Sequence, residues 1–292
     1  MEFVRKHAIL FAAGVLVGIN LIIWQQVYAG GEVSSHELKV FYLDIGQGDA
    51  TFIEAPNGNQ MLIDGGRTDN KVLQELGEVM PVGDRSIDVV LATHPDADHI
   101  GGLPEVLKRY DVQYYFESGN ETKDTGIFKT LEKTLEETSP RRVVTRRGER
   151  ITLDSDTGVY VDVLYPDRDV SKVESNDASF VGKLTYGETC FIFSGDASQN
   201  IERYILKTDS GNLNCQVLKT GHHGSKTATS PEWAKAISPQ YAVISAGKDN
   251  TYGHPNKETL DTLAKFGIKI FRTDRNGRIE IDSDGLNLII KK

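Results

Sequence analysis

Apolar positions along the chain gather into runs of strand length, divided by turn signals and by stretches where they recur at helical spacing. The pattern predicts strands over 39–43, 50–54, 60–63, 89–92, 113–117, 159–164, 180–186, 190–194, 216–219, 241–245, 268–272 and 278–281. Helices are predicted over 71–79, 102–109, 126–136, 199–207, 231–236 and 257–266. Early strands follow one another almost directly, as in hairpins, whereas later ones alternate with helices. Such a mixture predicts an α/β (α+β) domain in which two sheets pack together with helices outside. Residues 38–292 contain no internal repeat, low-complexity tract or second linker, so they read as one domain.

The start of the chain follows a different pattern. Residues 8–24, AILFAAGVLVGINLIIW, form 17 residues without a charge, preceded by Arg5, Lys6 and His7. That length is at the short end of the roughly 17–25 residues of a membrane-spanning helix. The basic flank is expected to stay in the cytoplasm, which places the rest of the chain beyond the membrane. Val27-Tyr28-Ala29 offers a partial cleavage site, so a cleaved signal peptide is the alternative. Residues 1–28 therefore read as a membrane anchor or signal peptide and 29–37 as a small polar linker. The domain at 38–292 is then extracytoplasmic, tethered by a single pass or secreted.

Charge and cysteine content change the picture only a little. A net charge of -9 argues against a broad nucleic-acid surface but not against a local patch. Arg141, Arg142, Arg146, Arg147 and Arg150 offer such a patch, which either tracks phosphates or lines a solvated strand edge. The two cysteines, Cys190 and Cys215, are too few for a disulfide framework and lack C-x-x-C spacing. Each lies in an apolar run and reads as a small buried hydrophobe.

Chemistry gathers where apolar strands end. After Val89–Ala92 the chain reads THPDADHIGG, with His94, Asp96, Asp98 and His99 all available to a metal. Capping of the next helix would account for one aspartate but not for the other three residues. The strand FIF delivers Ser194-Gly195-Asp196, and Leu218-Lys219 delivers Thr220-Gly221-His222-His223-Gly224-Ser225. Adjacent histidines on an extended backbone point opposite ways, so one of His222 and His223 is expected to ligate and the other to support it or touch substrate. The turns around Asp49 (DIGQGDA) and Asp64 (LIDGG) either brace the ligands or only form tight hairpins. His254, in YGHPN, would ordinarily be structural.

Taken in order, DIGQGDA, LIDGG, THPDADHIGG, SNDASFV, FSGD, GHHGS and YGHP resemble the metallo-β-lactamase superfamily. Within it they resemble the extracellular C-terminal domain of the ComEC/Rec2 family of competence DNA-uptake proteins. The resemblance covers nearly all of 38–292 and implies an αββα sandwich with two divalent ions (Mn²⁺ or Zn²⁺, with Mg²⁺ a further candidate) at one edge. By that resemblance His94 and Asp96 bind the first ion and Asp98 and His99 the second. Asp196 bridges, one of His222 and His223 completes the second site, and His254 becomes a site candidate. Lys219, Ser225, Asn176 and Ser179 fall at positions that support the ligands or contact substrate.

The commoner superfamily motif is H-x-H-x-D-H, and here Asp96 stands in place of its second histidine, a change that the ComEC-like branch shares. A further histidine is also missing, with Ser175-Asn176-Asp177-Ala178-Ser179 in its place. The resulting first site is harder and richer in oxygen, which favours manganese or magnesium over zinc and leaves open a centre with one ion at low metal.

Two metals would generate a hydroxide nucleophile and clamp a phosphoryl group. Asp98 would orient the water, while His254, His222 or His223 would protonate the leaving oxygen or stabilise the phosphate. Ser225 and the glycine backbone of GHHGS would contact a non-bridging oxygen. The resemblance implies DNA as substrate and a DNA-uptake channel as possible partner. The alternatives are another hydrolase of this fold, acting on a lactone, thioester or β-lactam, and a metal-binding surface protein without catalysis.

Overall fold

Strand β1 (Leu38–Tyr42) buries both faces, which is why nearly every position in LKVFY is apolar. Leu38, Val40 and Tyr42 enter one apolar cluster, and Phe41 enters another. The same division recurs in β4 (Ser86–Ala92), where Val89 and Leu91 oppose Val90 and Ala92. It recurs again in β10 (Thr189–Phe193), where Phe191 and Phe193 oppose Cys190 and Ile192. A computed structural model describes residues 37–68 and 70–291, and in it these strands are inner layers of a sandwich. The predicted anchor and nearly all of the linker lie outside the described residues. Among the described residues, no helix is long and apolar enough to cross a membrane.

The first sheet adds β2 (Thr51–Glu54), β3 (Gln60–Ile63), β5 (Asp111–Glu117), β6 (Arg141–Val144), β14 (Ile279–Ser283) and β15 (Leu288–Lys291). Its order is β15-β14-β1-β2-β3-β4-β5-β6. The second contains β7 (Arg150–Asp154), β8 (Val159–Tyr165), β9 (Val181–Tyr186), β10, β11 (Val217–Lys219), β12 (Tyr241–Ile244) and β13 (Lys269–Arg272), in the order β13-β12-β11-β10-β9-β8-β7. One core lies between the sheets. Helices α1 (Lys71–Val79), α3 (Leu103–Arg109) and α4 (Gly126–Thr138) cover the outer face of the first. Helices α5 (Gln199–Thr208) and α6 (Pro231–Ile237) cover the second, with α7 (Lys257–Lys265) beside α6. Two short helices, α2 (Ala97–Ile100) and α8 (Thr273–Asn276), complete the described set. The αββα sandwich expected from the sequence is present.

Three strands escaped the periodicity: β6, β7 and β15. Each is the outermost strand of its sheet. An edge strand has one neighbour and charged, half-wet side chains, so its apolar alternation is weak. The cysteines also differ from expectation. Both are buried, as predicted, but Cys190 and Cys215 are joined as a disulfide with Cα atoms 5.3 Å apart.

Candidate metal centre

Parallel strands ending side by side deliver the site. Phe193, Lys219 and Val243 pair across β10, β11 and β12, so Asp196, the two adjacent histidines and Ser245 follow from one sheet edge. In the other sheet Ile63 pairs with Leu91, which sets Asp64 beside Thr93 and His94. Ligand sites in α/β folds form beyond such carboxyl ends.

Asp64 organises the first half. Its backbone is left-handed (φ 60°), a conformation Asp tolerates better than most residues. The carboxylate accepts the Thr93 amide and hydroxyl, each at 2.8 Å, and its Oδ2 lies 2.8 Å from His99 Nδ1. An ionised carboxylate only accepts, so His99 Nδ1 carries the proton. The Thr93 hydroxyl donates its single proton to Asp64, so His94 Nδ1, 3.0 Å away, donates to Thr93. His223 Nδ1 faces two acceptors, the Ser245 carbonyl and Asp49 Oδ1, each at 3.2 Å. When these rings are neutral, as a metal ligand must be, the bare nitrogen of each is Nε2.

Those nitrogens converge on Asp196. His99 Nε2 lies 3.3 Å from Oδ1, and the Nε2 atoms of His94 and His223 lie 3.8 Å from Oδ2. All three are buried without a hydrogen-bond partner among the described residues, and so is Asp196 Oδ1. A buried carboxylate facing these nitrogens calls for positive charge between them, supplied by a ring proton or by a metal ion. The donor set fits a divalent metal ion. Ligand atoms of Asp49, His99, Asp196 and His223 lie within 4.8 Å of one another. Asp49 is the outer member of that group, because its Oδ2 takes the buried Lys219 ammonium at 2.8 Å while Oδ1 braces His223. Asp98 Oδ2, 3.5 Å from His223 Nε2, is the carboxylate better placed as a ligand.

The electrostatics express the same demand for positive charge. Burial disfavours a charged His99, yet Asp196 and Asp64 hold its pKa well above the ordinary value. Burial likewise opposes charge on His223, but Asp196 and Asp49 raise its pKa to about 9. Asp196 moves the other way: burial works against ionisation, and His99 and His223 overcome it, keeping the carboxyl well below its usual range.

Several expectations change on contact with this geometry. The backbone at His222 and His223 is not extended: φ is 51° and 52°, in a tight turn spanning Gly221–Gly224. Both Nε2 atoms therefore reach Asp196 Oδ2, His222 at 3.6 Å and His223 at 3.8 Å, where opposite directions were expected. Asp96 is occupied elsewhere, by Ser175 and Lys123. Of the two roles expected for Lys219, it takes support: it is buried against Asp49, which braces His223. The Ser225 amide bonds the His222 carbonyl, and its hydroxyl pairs with Thr227, which in turn lies 3.3 Å from His222 Nδ1. Ser225 thus sits beside Thr227 and His222 and helps to position that ring.

Ser179 Oγ accepts the Asp196 amide at 3.1 Å, and Asn176 lies in the neighbouring 3-10 turn with its Oδ1 buried and partnerless. His254 stands 5.5 Å from the His222 ring and 6.3 Å from that of His223. Thr93 and Lys123 were not singled out by sequence reasoning. Thr93 had a signal in its place at the end of β4, whereas Lys123 belongs to no motif. Gly48 also has a steric role, since a Cβ there would sit 2.2 Å from the Asp98 carbonyl oxygen.

Four of the five arginines in the run are already engaged, and Arg141 lies exposed over the Tyr114 ring. Arg142 is clamped by Glu117 and Glu132, Arg147 by Asp209, and Arg150 by Asp162 with its guanidinium 3.5 Å over the Tyr160 ring. Arg146 donates to the carbonyls of Ser118 and Thr145. Arg141 and Arg142 lie on β6, an edge strand of the first sheet.

Sandwich and Asp/His centre together define a class, and the chain belongs to it: the metallo-beta-lactamase superfamily, whose sequence signature matches residues 43–248. Proteins of this superfamily are generally metal-dependent hydrolases. The curated relatives it matches are competence proteins of the ComEC/Rec2 kind. ComE operon protein 3 of Bacillus subtilis (strain 168) is 31% identical over 262 residues, which are 84% of this chain and 33% of that protein. Competence protein ComA of Neisseria gonorrhoeae is 28% identical over 270 residues, 90% of this chain and 36% of that protein. The chain thus spans about a third of the length of these relatives. Among solved structures, CmlA, a diiron beta-hydroxylase from Streptomyces venezuelae, superposes with a TM-score of 0.53 at 13% identity, over 87% of this chain and 54% of that one. That likeness is one of fold.

Proposed function

We propose that this chain is a metal-dependent phosphodiesterase that cleaves DNA outside the membrane. The observation that carries the reading is the centre itself: three buried Nε2 atoms without a hydrogen-bond partner among the described residues converge on Asp196 with Asp98 beside them, and carboxylate stands where β-lactam- and thioester-cleaving relatives keep histidine. Three imidazole nitrogens with the Asp196 and Asp98 carboxylates suit Mn²⁺ or Zn²⁺, and Mn²⁺, the harder of the two, is the ion matched to a phosphate ester. When bound, the metal supplies positive charge to the phosphoryl oxygens and acidifies a water.

The chain's own residues divide the remaining work. Asp98, half-buried beside His223, orients the attacking water; burial works against its ionisation, but His223 and His99 overcome it and hold the carboxyl well below its usual range. His254 does not act as the acid: burial, with His223 and His222 nearby, pushes its pKa down to about 4, so it is neutral at pH 7. It serves as a hydrogen-bonding partner to the phosphate instead. Tyr252 is exposed and stacks on His254 at 5.8 Å between centroids, with Arg67 donating to its hydroxyl at 3.2 Å. That rim offers a base-stacking platform and a cation for the flanking phosphate.

Relatives named for competence support DNA as substrate and a DNA-uptake channel as partner. The Cys190–Cys215 disulfide suits an oxidising, extracytoplasmic compartment. The test is to incubate the protein with single-stranded DNA, double-stranded DNA and bis(p-nitrophenyl) phosphate in Mn²⁺ or Zn²⁺. Cleavage is expected, and inertness toward all three would exclude the reading.

A further inference from the structure

The two places where the chain departs from a histidine-rich first metal site touch each other. Ser175 Oγ, from the segment that replaces one histidine, lies 2.5 Å from Oδ1 of Asp96, which replaces another. That same oxygen is 3.0 Å from the ammonium of Lys123, a residue of the segment between β5 and α4. Asp96 contributes no atom to the tightly set donor group around Asp196. An ammonium already resting on Asp96 repels a divalent ion approaching the same carboxylate, and it satisfies the charge that such an ion would neutralise.

We propose that Lys123 holds the place of the first metal, so that the protein binds one divalent ion, at Asp196 with His99 and His223, until Lys123 is removed. The sequence alone left the number of ions open, and this ammonium decides it. The inference rests on the metal reading of the centre but not on the identity of the substrate. Lys123 is one-third exposed and bonded only through its tip, so replacing it does not open a hole in the core.

Metal content tests it directly. Protein dialysed against micromolar Mn²⁺ is assayed for manganese per chain, with electron paramagnetic resonance to separate an isolated ion from a spin-coupled pair. The wild type is expected to hold one uncoupled Mn²⁺. Lys123→Ala and Lys123→Met, the latter keeping the aliphatic stem, are expected to hold two, coupled. Adding Asp96→Asn to Lys123→Ala is expected to return the count to one. Two ions in the wild type, one ion in both single variants, or a double variant that keeps two would each overturn the proposal. A wild type that binds no more manganese than Asp196→Ala would instead remove the metal reading beneath it.

Discussion

Asp64 Oδ2 and His99 Nδ1 lie 2.8 Å apart with both side chains buried. The contact fixes which ring nitrogen of His99 faces the centre. Because the same carboxylate holds Thr93, and Thr93 holds His94, one residue sets the tautomers of two histidines of the centre. Asp64→Asn exchanges an acceptor for a group that also donates, and it breaks this chain of proton assignments. Mn²⁺ affinity is expected to fall by about 10–100-fold while the protein stays folded. Calorimetric titration alongside a thermal melt checks it, and unchanged affinity would mean that Asp64 only shapes the turn.

The metal-free protein should lose stability in mild alkali. Burial opposes a charged His223, but Asp196 and Asp49 raise its pKa from 6.5 to about 9. A folded value above the unfolded one gives a contribution that is complete below 6.5 and lost as pH rises through about 9. The urea midpoint of metal-free protein is therefore expected to fall across that interval. Manganese competes with the same proton, so its affinity should rise over the same range. Urea melts and Mn²⁺ titrations bracketing the interval read both slopes, and flat profiles would contradict the assignment.

Tyr252 should matter for a nucleic acid and not for a small ester. Stacking on an aromatic ring is worth about 1–3 kcal/mol per base. Tyr252→Ala is expected to raise KM for an oligonucleotide roughly tenfold, with kcat little changed and bis(p-nitrophenyl) phosphate turnover unaffected. Tyr252→Phe should retain the stacking and keep KM low. Steady-state kinetics on the two substrates separate these outcomes, and an equal loss on both would place Tyr252 in the catalytic machinery.

The sandwich and most of the centre were legible because buried strands advertise themselves. VVLA, FIF and QVLK are apolar on both faces, so their ends are easy to find, and the ligands sit at those ends. What the sequence concealed depends on contacts distant along the chain or on backbone shape. The edge strands β6, β7 and β15 lack the double burial that makes a strand visible. The paired left-handed residues at His222 and His223 send both rings inward, which no spacing rule anticipates. Lys123 meets Asp96 with α2, α3 and β5 between them in the chain, and Lys219 meets Asp49 across 170 residues, so neither pairing has a local signature.

The central claim is that a metal held at Asp196 cleaves phosphodiesters. The most direct measurement is hydrolysis of single-stranded DNA by wild type and Asp196→Ala, before and after chelation and Mn²⁺ return. Wild-type cleavage is expected to vanish with the chelator and recover with Mn²⁺, while Asp196→Ala stays inactive in both conditions with its melting temperature preserved. Cleavage by Asp196→Ala at the wild-type rate, or none by manganese-loaded wild type, would contradict it.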